Sequence, residues 1–164
     1  MLIEVFKYKQ WADRRTLDAI QAIDAAHAGA MAFVLQQLNH MIIVEELFKA
    51  RLLGVPAPHA ATNTESLPDW QALDQRISAS NAWFSHYVER LPAAQREETV
   101  SFLFADGKPG RMTRLEILFH IVNHGTYHRG AIGHALDLAG APRPADTYTV
   151  FIHAAEPARR MPSC

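Results

Sequence analysis

Residues 119–134, FHIVNHGTYHRGAIGH, carry four histidines, and three of them, His120, His124 and His128, stand four apart. A helix turns about 100° per residue. Over 114–139 that turn gathers Ile117, Leu118, Ile121, Ile132, Leu136 and Ala139 on one arc and puts Glu116, Asn123 and His134 opposite. His124 and His128 fall inside the apolar arc, one turn apart, and His120 falls at its edge. A buried imidazole needs a partner, because an unpaired donor costs about 1–3 kcal/mol. This helix must therefore pack against elements that offer its histidines hydrogen bonds or a shared ion. Residues at i and i+4 can converge on one metal. His120 and His128 are two turns apart, about 12 Å along the axis, too far to share a small ion. The inward pair is His124/His128.

Three more segments carry helical periodicity. In 2–24, Leu2, Val5, Phe6, Trp11, Leu17, Ile20 and Ile23 recur at three- and four-residue steps. Residues 30–53 are apolar over a wide arc, which predicts a well-buried helix, closed by Gly54 with Pro56 and Pro58. After the loop PAPHAATNTESLPD, Asp69 serves as N-cap for a helix over 70–90 that stops before Pro92. TVSFLF, ADGKPG and RMTR then read as strand, turn and strand. Thr113 with Glu116 forms a capping box opening the last helix, 114–139, which Gly140 and Pro142 close. The expected fold is all-α: a four-helix bundle with one long crossover and a short β-hairpin before the last helix. Residues 1–153 form one domain in this reading, and 154–164 a flexible C-terminal tail.

The segment LNHMIIVEELF supplies a third histidine. On its helix His40 shares a stripe with Phe33, Val44 and Leu47 and should also point inward. Three inward histidines from two helices make a His₃ set, which leaves a fourth position open, as catalytic metal sites do. Core histidines paired by neighbouring side chains remain the alternative. Gly125, Gly130 and Gly133 lie in the same helix, each costing up to about 1 kcal/mol against alanine. Their presence implies the close approach of a neighbouring helix or of a ligand.

Composition narrows the functions. Among 164 residues the formal net charge is −1, with nine histidines. That balance gives no footprint for nucleic acid or an anionic membrane. No apolar run nears the roughly 20 residues of a membrane span. The N-terminal stretch lacks a basic region followed by an apolar one, and Cys164 is the only cysteine. A cytoplasmic location is expected.

YKQWADRRTLDAI, LNHMIIVEELF and LEILFHIVNHGTYHRGAIGHALDLAG together resemble the DinB/YfiT-like family, with NHGTYHRG the most specific element. The resemblance spans residues 2–140. It implies a four-helix bundle holding a divalent metal, zinc or nickel foremost, on three histidines that correspond to His40, His124 and His128. It also implies a homodimer. Relatives include transferases and isomerases in which the metal activates a low-molecular-weight thiol. The leading expectation is thus a thiol-dependent S-transferase that acts on a small electrophile in detoxification or stress response. A metal-dependent hydrolase using a bound water, or a non-catalytic metal-binding stress protein, are the alternatives. There is no HExxH, since Gly125 stands where its general base would be, and Glu45 and Glu46 project away from His40 on the wheel. The family often reads HRGQ, whereas Ala131 follows Gly130 here, so a polar group expected near the metal is missing. Arg129 is expected in a structural salt bridge, and His120 is expected not to be a ligand.

Overall fold

The computed structural model describes residues 1–160. Helix α1 spans Leu2–Ile20, α2 Ala28–Leu53, α3 Trp70–Arg90 and α4 Arg114–Leu138. Strands β1 (Thr99–Leu103) and β2 (Pro109–Thr113) form the antiparallel hairpin before α4, with Thr99 opposite Thr113 and Leu103 opposite Pro109. The caps are those the sequence implies. Asp69 accepts from the Ala72 amide at 2.8 Å. Thr113 and Glu116 exchange hydrogen bonds at 2.7 and 3.1 Å. Gly54 closes α2 in the left-handed region, φ 67°. Helix α1 ends at Ile20 rather than at 24, because Asp24 caps a separate 3₁₀ turn, Ala25–His27, by accepting from Ala26.

Cross-helix contacts fix the topology. Helices α2 and α4 are antiparallel, since Leu52 meets Arg114, His40 meets His124 and Gln37 meets His128. Helices α2 and α3 are parallel, since Asn39 meets Arg76 and Glu45 meets Ser80. Parallel neighbours need a connection as long as the helix, and the 54–69 crossover provides it. It runs back along α2, tethered by Thr64 to Asn39 at 2.7 Å and by His59 to Glu46. None of the helices is long and apolar enough to cross a membrane, among the described residues.

The apolar core has two large clusters, beside a smaller one of Tyr8, Ala12 and Phe151. One cluster holds Leu17, Leu38, Met41, Ile42, Leu73, Ile77, Ile132 and Leu136; the other holds Phe6, Val44, Phe48, Phe84, Ile117 and Ile121. Between them lies a buried polar layer contributed by all four helices. Lys9, wholly buried, spends its three donors on Asp13, Asn81 and Glu45, each at 2.8 Å. The other oxygen of Asp13 accepts from Arg129 at 2.8 Å. Burial by itself pushes the Asp13 carboxyl up, but Lys9 and Arg129 outweigh it and hold the carboxyl below its usual range. Burial and the neighbouring Asp13 charge leave Glu45 raised despite Lys9. Arg129 also donates to Asp146 at 2.7 Å.

That aspartate belongs to a segment to which the sequence reading gave no element. Residues 141–147 lead into a fifth helix, α5 (Tyr148–Ala155), capped by Thr147, and a 3₁₀ turn covers Pro157–Arg159. Phe151 packs into Tyr8, Trp11 and Tyr148. Of the expected tail 154–164, helical structure thus covers Ala154, Ala155 and Pro157–Arg159, and residues 161–164 lie outside the described residues.

Asp13→Asn should destabilise the protein by about 3–5 kcal/mol at neutral pH by leaving Lys9 and Arg129 under-compensated. Because the folded carboxyl is lowered, its contribution is present above the unfolded value of about 3.9 and fades as pH falls through the folded one. Urea titrations of both proteins at pH 7 and pH 3.5 should show the gap narrowing in acid. An equal gap at both values would contradict this assignment.

Candidate metal centre

The antiparallel seam of α2 and α4 brings His40, His124 and His128 together. The Nε2 atom of His124 lies 3.2 Å from that of His40 and 3.1 Å from that of His128. The three ligand atoms all fall within 4.8 Å of one another. The rings are half-buried and tilted, with centroids 4.4–5.1 Å apart. Four ligands tetrahedrally placed at about 2.0–2.1 Å from an ion stand about 3.3 Å apart, close to the two separations from His124.

Two outer contacts set the tautomers. His40 Nδ1 donates to the Thr62 carbonyl at 2.9 Å, and His128 Nδ1 donates to Gln37 Oε1 at 2.6 Å. Both Nε2 atoms are therefore left as bare lone pairs facing a third imidazole. A single proton on His124 serves one of those contacts well and not both, whereas a cation serves all three. Protonation is also disfavoured. Burial, then the nearby His128, His120 and His40, pushes His124 down to about 3. Burial, then His40, pushes His128 down to about 4. Neutral imidazoles with Nδ1 anchored are the form that metals bind. The donor set fits a divalent ion.

A profile of the DinB family matches residues 1–161. The chain belongs to the DinB family. No curated protein and no solved structure gives a significant match. The expected likeness in fold is thereby met: a helical bundle with one hairpin before α4.

Beside the three histidines, this DinB-family protein has a pocket of about 420 Å³. His40, His124 and His120 line one side; Leu47, Phe48, Phe104 and Met112 supply apolar walls. His120 is outside the ligand group, its ring 5.2 Å from His124 and 5.0 Å from Phe48. Burial, then Arg51, lowers its pKa. Val44 and Leu47 share the His40 stripe as the sequence implies. Phe33 does not turn inward: it is 39 % exposed, because it lies near the start of α2 and lines a separate cleft with His134 and Leu138.

The glycines have a different cause from the one expected. A Cβ at Gly125 would stand 2.9 Å from the Arg129 guanidinium, and one at Gly133 would stand 2.7 Å from Nε of Arg143. Arginine side chains, rather than a helix or a ligand, occupy the space. Nothing lies within 4 Å of Gly130, and the structure gives no reason for that glycine. Ala131 lines the separate cleft with Phe33, and the amide beside His128 comes instead from Gln37. Sequence reasoning missed Gln37, although it sits three residues before His40 on the same helix face. It also missed Thr62, whose backbone carbonyl leaves no trace in sequence.

The depressed imidazoles give the metal-free protein a pH signature. Unfolded histidines protonate near 6.5, whereas folded His124 and His128 stay neutral to about 3 and 4. Their stabilising contribution is present above about 6.5 and is lost as pH falls, because the unfolded state takes up more protons. Chelated wild type should lose Tm between pH 7.5 and 5.5. His124→Leu should flatten that slope, and an unchanged slope would contradict the assignment.

Proposed function

We propose that this protein is a metal-dependent thiol S-transferase in which His40, His124 and His128 hold one divalent ion, zinc or nickel. The observation that carries the reading is the convergence of three Nε2 atoms with two Nδ1 atoms already anchored. When bound, such an ion supplies the chemistry of lowering the pKa of a thiol at its open position, giving a nucleophile at neutral pH. The chain's own groups do the rest. Thr62 and Gln37 fix the ring orientations, and Leu47, Phe48 and Met112 give the approach apolar walls. A thiol is favoured over hydrolysis because no carboxylate among the described residues lines the pocket. Glu45 is bound to Lys9 and Ser80, and Glu46 to Arg76 and His59, so neither is placed as a general base. The cytoplasm supplies low-molecular-weight thiols, and the role that fits is removal of small electrophiles under stress.

The test joins metal content to turnover. Elemental mass spectrometry on untagged protein should find about one divalent ion per chain. His40→Ala, His124→Ala and His128→Ala should each lose it, and His120→Ala should keep it. The loaded wild type should transfer glutathione or cysteine to a bimane electrophile, with no turnover when the thiol is omitted. Thiol-independent hydrolysis of an ester or amide, or absence of metal after reconstitution, would overturn the proposal.

The same reading includes a homodimer. Phe119, Tyr127 and Leu138 on α4 are 69 %, 74 % and 73 % exposed, large apolar groups on one helix. Sedimentation equilibrium should return twice the chain mass, and Phe119→Glu with Tyr127→Glu should return the monomer. A monomeric wild type at micromolar concentration would remove the dimer and leave the metal centre unaffected.

A further inference from the structure

Among the described residues, the pocket beside the three histidines has one permanent cation in its wall, Arg51. Arg51 follows Phe48 by one helical turn on α2, and its guanidinium is sandwiched among rings: 4.5 Å from the centroid of Phe48, 4.3 Å from Phe102 and 5.6 Å from Phe104. One nitrogen donates to the Leu103 carbonyl at 3.1 Å. A guanidinium has five N–H donors, so most of its hydrogen-bonding capacity is unspent. Lys9, Arg14, Arg76, Arg114 and Arg129 each have a carboxylate within 3.2 Å. Arg51 has none among the described residues, and burial lowers its pKa with no acidic neighbour to offset it. Stacking on aromatic rings returns about 0.5–1 kcal/mol at such sites, but it leaves the in-plane edge of the guanidinium without an anion.

We propose that Arg51 is the recognition group of the pocket and binds the carboxylate of a small, flat, apolar organic acid, whose other end faces His40 and His124. The inference deepens the transferase reading and rests on it only for which end of the acid reacts. The anion is a carboxylate because a single guanidinium matches one planar monoanion through a bidentate pair. The flat apolar body follows from the walls, where Phe48, Phe104, Leu47 and Met112 present rings and aliphatic groups. The hairpin contributes to this selection: a side chain at Gly110 would collide with the rings of Phe104 and Phe102, so glycine there lets both rings lie where they contact Arg51.

Binding can be read without turnover. The probes are 3-phenylpropionate and its neutral isostere 3-phenylpropionamide, titrated calorimetrically into the full-length protein as purified and after chelation. In the chelated protein the carboxylate has no ion to bind, so preference there reports Arg51. Wild type should prefer the acid by about tenfold or more, the worth of a charge-assisted hydrogen bond. Arg51→Gln should abolish the preference with unchanged circular dichroism and metal content, and Arg51→Lys should retain part of it. Equal affinity for acid and amide in wild type, no binding of the acid, or a preference that survives in Arg51→Gln would each overturn the proposal. A protein that never takes up metal yet shows the Arg51-dependent preference sinks the transferase reading alone. One that holds its ion without the preference sinks this inference alone.

Discussion

The ion pair between Asp13 and Arg129, 2.8 Å long and almost without solvent contact, fixes how α1 and α4 sit against each other. Apolar packing alone tolerates sliding and rotation of helices at modest cost. A buried charge does not, since losing its partner leaves an uncompensated ion in a low-dielectric interior. Lys9, Asn81, Glu45 and Ser80 extend the constraint to α2 and α3, so every helix of the bundle is registered at one level. Asp146 brings the segment leading into α5 to the same point.

That level is also the level of the histidines. Arg129 follows His128 directly, and a step of one residue is a rotation of about 100°. When Arg129 faces α1, His128 faces α2. The ion network thus aims the imidazoles without touching them. On the other helix, Glu45 lies five residues after His40, bonded to Lys9 of α1 and Ser80 of α3 while His40 points to α4. Two stretches of chain each hold one residue of the polar layer and one of the histidine cluster. Gly125 belongs to this arrangement, because it leaves room for the Arg129 guanidinium to fold back along its own helix.

Much of this was legible in sequence, and the boundary has a physical origin. Periodicity located four helices because each buries one continuous face, and Asp69, Thr113 and Gly54 marked ends because their chemistry is local. The three histidines were legible for the same reason: inward positions on two helices follow from the wheel. What stayed hidden depends on other segments. Helix α5 is eight residues long within a proline-rich stretch, too short for periodicity to stand out, and it is held by Phe151 in a pocket made by α1. Lys9 and Asp13 look like surface residues of an amphipathic helix until α4 brings Arg129. Arg51 reads as an ordinary basic residue near a helix C-terminus. Only the fold shows the hairpin stacking rings on it.

The crossover links these features. A simple up-and-down bundle would join α2 to α3 by a tight turn, and nothing would then pass over the middle of α2. Because α2 and α3 run parallel, residues 54–69 must return along the bundle, and the return takes the Thr62 carbonyl past His40. The cluster is therefore oriented by a backbone atom from a loop and by a side chain, Gln37, from a helix. A loop carbonyl cannot be removed by point mutation, and it can be displaced only by moving the loop. Thr64 on Asn39 and His59 on Glu46 tie that loop on either side of Thr62. The same Asn39 and Glu46 accept from Arg76 of α3. The contacts that hold the crossover down are thus the contacts that set α2 against α3, and the orientation of His40 is coupled to bundle assembly.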